Sequence, residues 1–352
     1  MTIRLTAPEN GAVCSLTTEA QRAFAAGEER RRLVPGDLTF RWDDLHQEGA
    51  DDSIPAPVRM RWAPAVAAGT LTVEERTGEG YIPVRRETVR GDTAPVWNLK
   101  TGTRYRWRVE SEGESSGWSS FETADEAPRW ILLEGNSNVR DLDGWKTEDG
   151  RHIRQGLIYR CGEFDTHMNL TAEGERRLTR ELGIRTDLEL RGADGQGGIL
   201  TEAEMRSENG RPVLDKFGIE WIYLPVRPYD TIFTPGLLRD NYAACFEVLA
   251  DESKYPLCFH CWGGADRGGT LALLAQAVLG VAKDDLVLDY EYTSLSIWGL
   301  RTRNYEPFAN MMRGLEACGA PDAPFSERVS VWLRDIGVKQ ETLDRLRRNL
   351  LV

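Results

Sequence analysis

Several features are missing from this sequence of 352 residues, and their absence narrows the class of protein. No apolar run reaches the roughly 18 residues that a transmembrane helix needs, and residues 1–12 lack the pattern of a secretory signal peptide. No long basic run occurs and the formal net charge is −12, so we expect no binding to nucleic acid. No internal repeat or low-complexity segment is present. The length allows two domains, and the hydrophobic fraction of 41% is ordinary for a globular protein.

Cysteine is scarce, and its spacing gives little support for a metal site. The six cysteines are Cys14, Cys161, Cys245, Cys258, Cys261 and Cys318. Only Cys258 and Cys261 have the Cys-x-x-Cys spacing of a metal or redox motif. Cys258 falls in an apolar strand two residues before His260, so these three side chains cannot all face one way. We therefore expect no metal and no cofactor. Cys258 is either a small core residue, which the pattern favours, or a disulfide partner of Cys261 under oxidation.

Residues 1–125 have the pattern of a β-rich domain. Apolar and polar side chains alternate with the period of a strand over residues 38–42, 58–62, 71–74 and 105–109, with clusters of Gly, Pro and Asp between them. Several short strands at this spacing predict an all-β, sandwich-like domain. Residues 15–32 are instead predicted to form a helix.

Residues 126–352 have a different pattern, which begins after a cluster of acidic and small residues at 123–128. The predicted strands are residues 158–160, 184–190, 220–226 and 256–260. The predicted helices are residues 171–182, 235–250, 270–281, 283–294, 302–318, 326–337 and 340–351. This alternation predicts an α/β domain with a central, mostly parallel sheet flanked by helices. Such sheets bind ligands beyond the carboxyl ends of their strands.

The segment that follows the strand at 256–260 carries the candidate active site. It reads His-Cys-Trp-Gly-Gly-Ala-Asp-Arg-Gly-Gly over residues 260–269. N–H groups at a helix start attract a phosphate-sized dianion, and glycines let the backbone approach it. The same field favours the thiolate form of Cys261. Arg267 offers a fork of donors to phosphate oxygens, and Asp266 can protonate a leaving oxygen. The predicted phosphate-binding residues are Trp262, Gly263, Gly264, Ala265, Arg267 and Gly268.

Several nearby side chains have both a functional and a structural interpretation. His260 is expected to order the loop through hydrogen bonds. Asp187 and Arg191 end a neighbouring predicted strand, so they either line the mouth of the site or form a structural ion pair. Asp187 is the alternative acid. Trp262 either stacks on an aromatic phosphoester or packs under the loop. The aromatic side chains of residues 286–298 form either a pocket wall or, as is commoner at such spacing, part of the core.

The motif His-Cys-x-x-Gly-x-Asp-Arg-x-Gly resembles the signature of cysteine-dependent tyrosine phosphatases, and in particular the bacterial branch whose acid lies inside the phosphate loop. Residues 138–144, 153–160 and 186–191 resemble other segments of that branch, so the resemblance covers about residues 130–352. It implies Cys261 as nucleophile, Arg267 as phosphate ligand and Asp266 as general acid, acting without a metal. The expected reaction is phosphomonoester hydrolysis through a phosphocysteine. Phosphotyrosine in proteins is the first expected substrate, and inositol phosphates or phosphoinositides are the second.

Two positions depart from that family's pattern. Gly268 replaces a Thr or Ser whose hydroxyl helps the thiolate to leave, so we expect slow turnover or a pseudo-phosphatase that only binds phosphate groups. Ala265 replaces a frequent Lys, which argues against highly charged substrates such as polyphosphorylated inositols. Sulfurtransferases of the rhodanese type also hold a Cys between a strand and a helix, but the Asp-Arg end of this loop disfavours that alternative.

Residues 99–109 and 116–121 resemble the last third of a fibronectin type III domain, whereas the residues before them match it poorly. A module of that kind is typical of exported proteins. A free catalytic thiol and the missing signal pattern are typical of the cytoplasm. The expected compartment is therefore either the cytoplasm or the exterior with a leader removed, and the partner of the β-rich domain stays open.

Overall fold

The computed structural model describes residues 2–33, 50–192, 199–208 and 213–352. The chain forms two compact units, one made of Met1–Thr18 with Pro55–Leu132 and the other of Glu19–Ile54 with Leu133–Val352. This division differs from the predicted boundary between residues 125 and 126, because the segment Glu19–Ile54 belongs to the second unit. The strand predicted at residues 38–42 lies outside the described residues.

The first unit is built on one hydrogen-bonded sheet of seven strands. They are β1 (Arg4–Ala7), β2 (Ala12–Cys14), β3 (Val58–Thr77), β4 (Gly80–Val96), β5 (Arg104–Ser111), β6 (Glu114–Ser115) and β7 (Ser119–Thr123). Their order is β1-β3-β5-β7-β2, with β4 also paired to β3 and β6 to β5. β2 and β7 run parallel, and the other pairs are antiparallel.

Strand β3 is much longer than the sequence pattern predicts. The strands predicted at residues 58–62 and 71–74 are parts of one strand of 20 residues. Its pairing with β4 shifts register between Arg61 and Val66 and again between Val66 and Gly69. Irregularities of this kind bend a strand without ending it. Hydrogen bonds therefore join the strands of this unit into one sheet rather than two, over a core that includes Trp62, Trp107 and Phe121.

The second unit contains a sheet of five strands with the order β11-β10-β12-β9-β8. They are β8 (Arg140–Asp141), β9 (Ile158–Cys161), β10 (Thr186–Glu189), β11 (Glu220–Tyr223) and β12 (Leu257–His260). The pairs are parallel except for β8 with β9, so the sheet is mixed but mostly parallel, as the alternation of strands and helices predicts. β12 is central, and its carboxyl end leads into the candidate loop.

The helices of the second unit largely follow the predicted segments. They are α1 (Glu19–Ala26), α2 (Ala172–Arg176), α3 (Glu202–Glu208), α4 (Leu237–Leu249), α5 (Arg267–Leu279), α6 (Lys283–Glu291), α7 (Glu306–Glu316), α8 (Phe325–Asp335) and α9 (Gln340–Leu350). The helix predicted at residues 15–32 is shorter, because only α1 and a 3₁₀ turn at Glu29–Arg32 form there. Thr171 caps α2 by accepting from the N–H of Gly174. No helix in the described ranges combines the length and apolar character needed to cross a bilayer.

Candidate active site

The candidate loop joins two elements that are fixed in the core. All four residues of β12 are buried, and so is every residue of α5 after Arg267. Residues 261–266 turn between them, and Cys261 is only 1% exposed. The thiol therefore lies at the base of a loop that leads into the N-terminus of α5, where the helix dipole favours an anion.

The carbonyl groups of this loop are held by donors from other segments. Trp262 O accepts from the N–H of Glu163 at 2.9 Å. Gly263 O accepts from Asn138 Nδ2 at 2.8 Å, and Gly264 O accepts from Arg160 Nη2 at 2.6 Å. The C=O and N–H of a planar trans peptide point in opposite directions. Three carbonyls that bind surrounding segments thus leave the N–H groups of residues 263–265 turned the other way, which is the geometry of an anion cradle.

The glycines of the loop are not equivalent. Gly264 has φ +61°, and a Cβ there would lie 2.2 Å from the carbonyl oxygen of Cys161. A Cβ on Gly263 would lie 2.7 Å from Cγ of Trp298. At Gly268, in contrast, the nearest atoms to a Cβ are Phe259 Cε2 at 3.9 Å and Cys261 Sγ at 4.0 Å. Close contacts therefore require glycine at 263 and 264, whereas 268 has room for a side chain beside the thiol.

Arg267 is the first residue of α5 and stands at the rim of the loop. Its Nε is buried and has no hydrogen-bond partner in the described part of the chain. A buried charged donor without a partner is costly, and a bound oxyanion would satisfy it. This orphaned N–H suits the role predicted for Arg267 as a ligand of phosphate oxygens.

Asp266 is held by two residues that sequence reasoning missed. Its Oδ1 accepts from the hydroxyl of Tyr229 and from Arg301 Nε, the latter at 2.8 Å, and its Oδ2 accepts from Arg301 Nη2 at 3.1 Å. Burial raises the pKa of Asp266, but the Arg301 guanidinium and the tyrosine hydroxyl offset this effect, so the pKa lies below its usual value. A lowered pKa favours the carboxylate form of Asp266, which accepts a proton rather than donating one.

His260 lies under the loop between two carboxylates. Its Nε2 is 3.1 Å from Asp187 Oδ1 and 3.7 Å from Glu189 Oε2, and its Nδ1 is 3.3 Å from the carbonyl oxygen of Cys261. Burial lowers the pKa of His260, but the two carboxylates outweigh it, so the pKa is well above its usual value. His260 therefore links β10 to the loop, in keeping with the ordering role expected of it.

Of the two roles left open for Asp187 and Arg191, the structure shows the structural ion pair rather than a place at the mouth of the site. Asp187 is 3% exposed, and its Oδ1 faces His260, so it is badly placed to serve as an acid. Arg191 is 2% exposed and pairs with Glu163, Asp165 and Glu189. Both residues are structural ion-pair partners beneath the loop.

The exposure of Trp262 speaks against packing under the loop, and stacking on an aromatic phosphoester stays a prediction. Its side chain is 38% exposed, so it does not pack under the loop. The guanidinium carbon of Arg191 lies 4.9 Å from its ring centroid, and the ring of His167 makes an edge contact at 5.3 Å. Arg191 also pairs with Asp165. Burial raises the pKa of Asp165 to about 6, although Arg191 opposes this shift. Contacts with Arg191 and His167 thus position the Trp262 ring at the edge of the loop.

The aromatic residues of the 286–298 segment divide between the two predicted roles. Tyr290 and Tyr292 are each 2% exposed and belong to the core, where Tyr290 stacks on Phe308 at 3.9 Å. Trp298 lies against Gly263 instead, and its ring contacts His167 at 6.0 Å. Only Trp298 of these three borders the loop.

The fold brings Cys258 close to Cys161 on the neighbouring strand. Cys258 Sγ lies 3.8 Å from Asp187 Oδ1, and the contact with Cys161, burial and Asp187 together raise the pKa of Cys258 well above its usual value. Its side chain is 2% exposed, so the small core residue favoured from the sequence describes it better than a partner of Cys261. Among the described residues, no group of three or more His, Cys, Asp and Glu side chains has the arrangement of a metal site.

The loop-contacting residues that sequence reasoning did not identify come from segments far away in the sequence. Tyr229 and Arg301 are 37 and 35 positions from Asp266, and nothing local in either segment marks them. Asn138 and Arg160 lie in segments that resemble the phosphatase branch, but the resemblance gave them no role. Arg160 is fully buried and is held by Asp289 on α6 at 2.6 Å.

A buried thiol, three carbonyls held by outside donors and an arginine Nε with no partner among the described residues meet in a loop at the carboxyl end of a parallel strand. The sequence model of the family described as "Tyrosine phosphatase family" matches residues 131–352, and the chain belongs to this family. A Cupriavidus necator protein that is provisionally assigned as a tyrosine-protein phosphatase is 34% identical over 176 residues, which is 44% of this chain. The match spans 59% of the length of that relative.

Two solved structures of Siw14 are also similar to the chain. One is the core catalytic domain of the PP-IP phosphatase SIW14 from S. cerevisiae in complex with citrate, with 14% identity and a TM-score of 0.28 over 40% of this chain and 75% of that one. The other is the Siw14 catalytic core, with 12% identity and a TM-score of 0.28 over 40% of this chain and 74% of that one.

Proposed function

We propose that this protein hydrolyses phosphomonoesters through a phosphocysteine at Cys261, with phosphotyrosine in proteins as its first substrate class. The observation that carries the proposal is the loop itself. It combines a buried thiol, three carbonyls held by outside donors and an Arg267 Nε with no partner among the described residues. Family membership supports the same reaction class.

In the first step the Cys261 thiolate attacks phosphorus, and the bond to the leaving oxygen breaks. The N–H groups of the loop and Arg267 bind the non-bridging oxygens as charge moves onto them. Asp266, once it has taken a proton from solvent, transfers that proton to the leaving oxygen. In the second step a water attacks the phosphocysteine, Asp266 takes back a proton, and the products are the free thiolate and inorganic phosphate.

The absence of a hydroxyl at Gly268 supports a slow second step. Thr270, the next hydroxyl in the helix, donates to Asp266 O at 2.8 Å and accepts from the N–H of Tyr229 at 3.1 Å. The Thr270 hydroxyl therefore already makes two hydrogen bonds, both on the far side of the turn. A phosphate-binding pseudo-phosphatase is the second candidate function, and this missing hydroxyl is the observation that favours it.

Phosphate release from an aryl phosphate tests the proposal. We expect multiple turnovers that persist in EDTA and are blocked by vanadate. Cys261→Ser should abolish turnover while it still binds phosphate, because most of the cradle is backbone. Cys318→Ser is the matched control, since that thiol lies in another part of the unit and donates only to Gly314 O. Full activity in Cys261→Ser would refute the mechanism, and binding without turnover in the wild type would establish the pseudo-phosphatase.

The resemblance of residues 99–109 and 116–121 to fibronectin type III supports a partner-binding role for the first unit. Residues 55–132 would then supply recognition, while the reaction belongs to the second unit. A phosphoprotein substrate should be bound less tightly when exposed residues of this unit such as Trp118 are replaced. An unchanged KM would count against that role.

A further inference from the structure

A cavity opens directly beside the phosphate loop. It has a volume of about 550 Å³ and is lined by Pro228, Tyr229, Asp230, Thr231, Asp266, Arg267, Leu300, Arg301, Tyr305 and Pro307. That volume suits a small organic group. Because Asp266 and Arg267 form one wall, the part of a substrate that leaves the phosphate would lie in this cavity.

Both carboxylate oxygens of Asp266 are occupied within this wall. Arg301 holds the group as a fork, with Nε on Oδ1 at 2.8 Å and Nη2 on Oδ2 at 3.1 Å. Tyr229 adds a third donor on Oδ1. A carboxyl group that accepts three charge-assisted or hydroxyl hydrogen bonds keeps its negative charge. In this arrangement Asp266 has no proton to give to a leaving oxygen.

Arg301 has one N–H donor for which the described residues offer no acceptor. A guanidinium carries five N–H groups. Two bind Asp266, and the two on Nη1 donate to the carbonyl oxygens of Trp298 at 3.2 Å and Leu300 at 3.1 Å. The fifth, on Nη2, has no acceptor among the described residues. The Arg301 side chain is 23% exposed, so an anion in the cavity can reach this edge of the guanidinium.

We propose that Arg301 determines substrate choice: a second anionic group, carried by the substrate next to its phosphomonoester, binds the Arg301 guanidinium and releases Asp266 to protonate the leaving oxygen. This inference rests on the proposed phosphatase function and names its substrate class. The exchange replaces one ion pair by another, so it costs far less than breaking the Asp266–Arg301 pair outright. Asp266 then takes a proton from solvent and passes it to the leaving oxygen as the P–O bond breaks.

The groups around Asp266 point to Arg301 as the cation for this second anion. Arg267 on α5 is the other cation among the lining residues, and it serves the transferred phosphate. Tyr229, Tyr290 and Tyr305 bring hydroxyl groups rather than charge. Asp230 is negative and accepts from Asn310 Nδ2 at 3.0 Å, so it disfavours an anion on its own side of the cavity.

A series of alkyl phosphates of equal length tests the proposal, with the far end a hydroxyl, a carboxylate or a second phosphate. We expect the wild type to favour both charged ends over the hydroxyl by about tenfold or more in kcat/KM, the size of one charge-assisted contact. Preference for the carboxylate would indicate an acidic phosphopeptide as the natural source, and preference for the second phosphate would indicate a polyphosphorylated small molecule.

In Arg301→Met, the ratio of kcat/KM for the charged-ended substrates to that for the hydroxyl-ended substrate should fall to about one. Arg301→Lys should keep part of the preference, because lysine retains the charge but not the planar fork of donors. In Arg301→Met the alkaline limb of the pH profile with the hydroxyl-ended substrate should also move to higher pH, since the Asp266 carboxyl loses the cation that depresses its pKa. Nitrophenyl phosphate, whose leaving group needs little protonation, is assayed in parallel. If the wild type does not hydrolyse that ester, the phosphatase function itself is refuted. If the wild type and Arg301→Met show the same substrate preference, or if the alkaline limb of the pH profile stays at the same pH in both, only the role of Arg301 is refuted.

Discussion

Gly268 is the single residue whose identity should control the rate of the second chemical step. Its backbone does not have positive φ, and a Cβ there would lie 4.0 Å from Cys261 Sγ with nothing closer than 3.9 Å. A threonine can therefore be accommodated, and its hydroxyl would lie within reach of the sulfur.

We predict that Gly268→Thr raises the steady-state rate and shrinks a burst of phenol release that equals the enzyme concentration in the wild type. The reason is that a hydroxyl beside Sγ stabilises the departing thiolate. Gly268→Ala adds a Cβ without a hydroxyl and is the matched control, so it should leave the burst unchanged. Rapid-mixing kinetics with an aryl phosphate measures both quantities. A wild type without a burst, together with a folded Gly268→Thr enzyme of unchanged rate, would show that another group assists the water.

Asp266 should matter in proportion to the basicity of the leaving group. We predict that Asp266→Asn lowers kcat on alkyl phosphates by about 10²–10⁴, the usual range for loss of a general acid, and much less on nitrophenyl phosphate. Asp230→Asn is the control, because that carboxylate lines the same cavity but bonds to Asn310. Equal, small losses on both ester classes would take the acid role away from Asp266.

At the scale of the element, the strand–loop–helix segment could be predicted because its signals are local. An apolar run, four glycines and an apolar helical pattern follow one another in the chain, and β12 and α5 form where that order requires. The contacts of Asn138, Arg160, Tyr229 and Arg301 could not be predicted in the same way. They depend on which strands and helices become neighbours, and a single sequence does not encode that in any local spacing.

The link between β10 and the loop through His260 should make stability depend on pH. The pKa of His260 is raised above its unfolded value by Glu189 and Asp187. Its stabilising contribution is therefore complete below about pH 6.5, the unfolded pKa, and is lost as pH rises through the higher folded pKa.

We predict that Asp187→Asn lowers the free energy of unfolding by about 2 kcal/mol near pH 7, because a hydrogen bond to a charged group is weakened. The loss should shrink at strongly alkaline pH, where His260 is neutral in both proteins. Urea unfolding of the wild type and the variant across this pH range gives the comparison. A loss of the same size at every pH would mean that Asp187 does not act through the charge of His260.

At the scale of the molecule, the segment Glu19–Ile54 precedes most of the first unit in the sequence but belongs to the second unit. It supports the phosphate loop there. Ser53 Oγ accepts from the buried N–H of Asn138 at 3.0 Å, and Asn138 Nδ2 in turn donates to Gly263 O. Phe24 contacts the ring of Tyr292 at 5.8 Å, and the N–H of Asp52 donates to Leu295 O at 2.8 Å. A boundary at residue 126, which composition suggests, would remove all of these contacts.

We predict that a fragment of residues 126–352 is less stable and less active than the full chain. Ser53→Ala tests one of the lost contacts alone. It leaves the Asn138 N–H without its acceptor and should cost about 1–3 kcal/mol. Its effect on phosphate affinity should exceed that of Ser111→Ala, whose hydroxyl only donates to Ala68 O in the first unit. A fragment with the full stability and activity would show that residues 19–54 are dispensable for the loop.

The most direct test of the account is the covalent state of Cys261 during turnover. The enzyme is mixed with an aryl phosphate, quenched in acid within the time of one turnover and analysed as peptides by mass spectrometry. The account predicts one phosphoryl group on the peptide that contains Cys261, more of it in the wild type than in Gly268→Thr, and none on that peptide in Cys261→Ser. Phosphate release with no phosphoryl group on Cys261, or with the label on another residue, would contradict it.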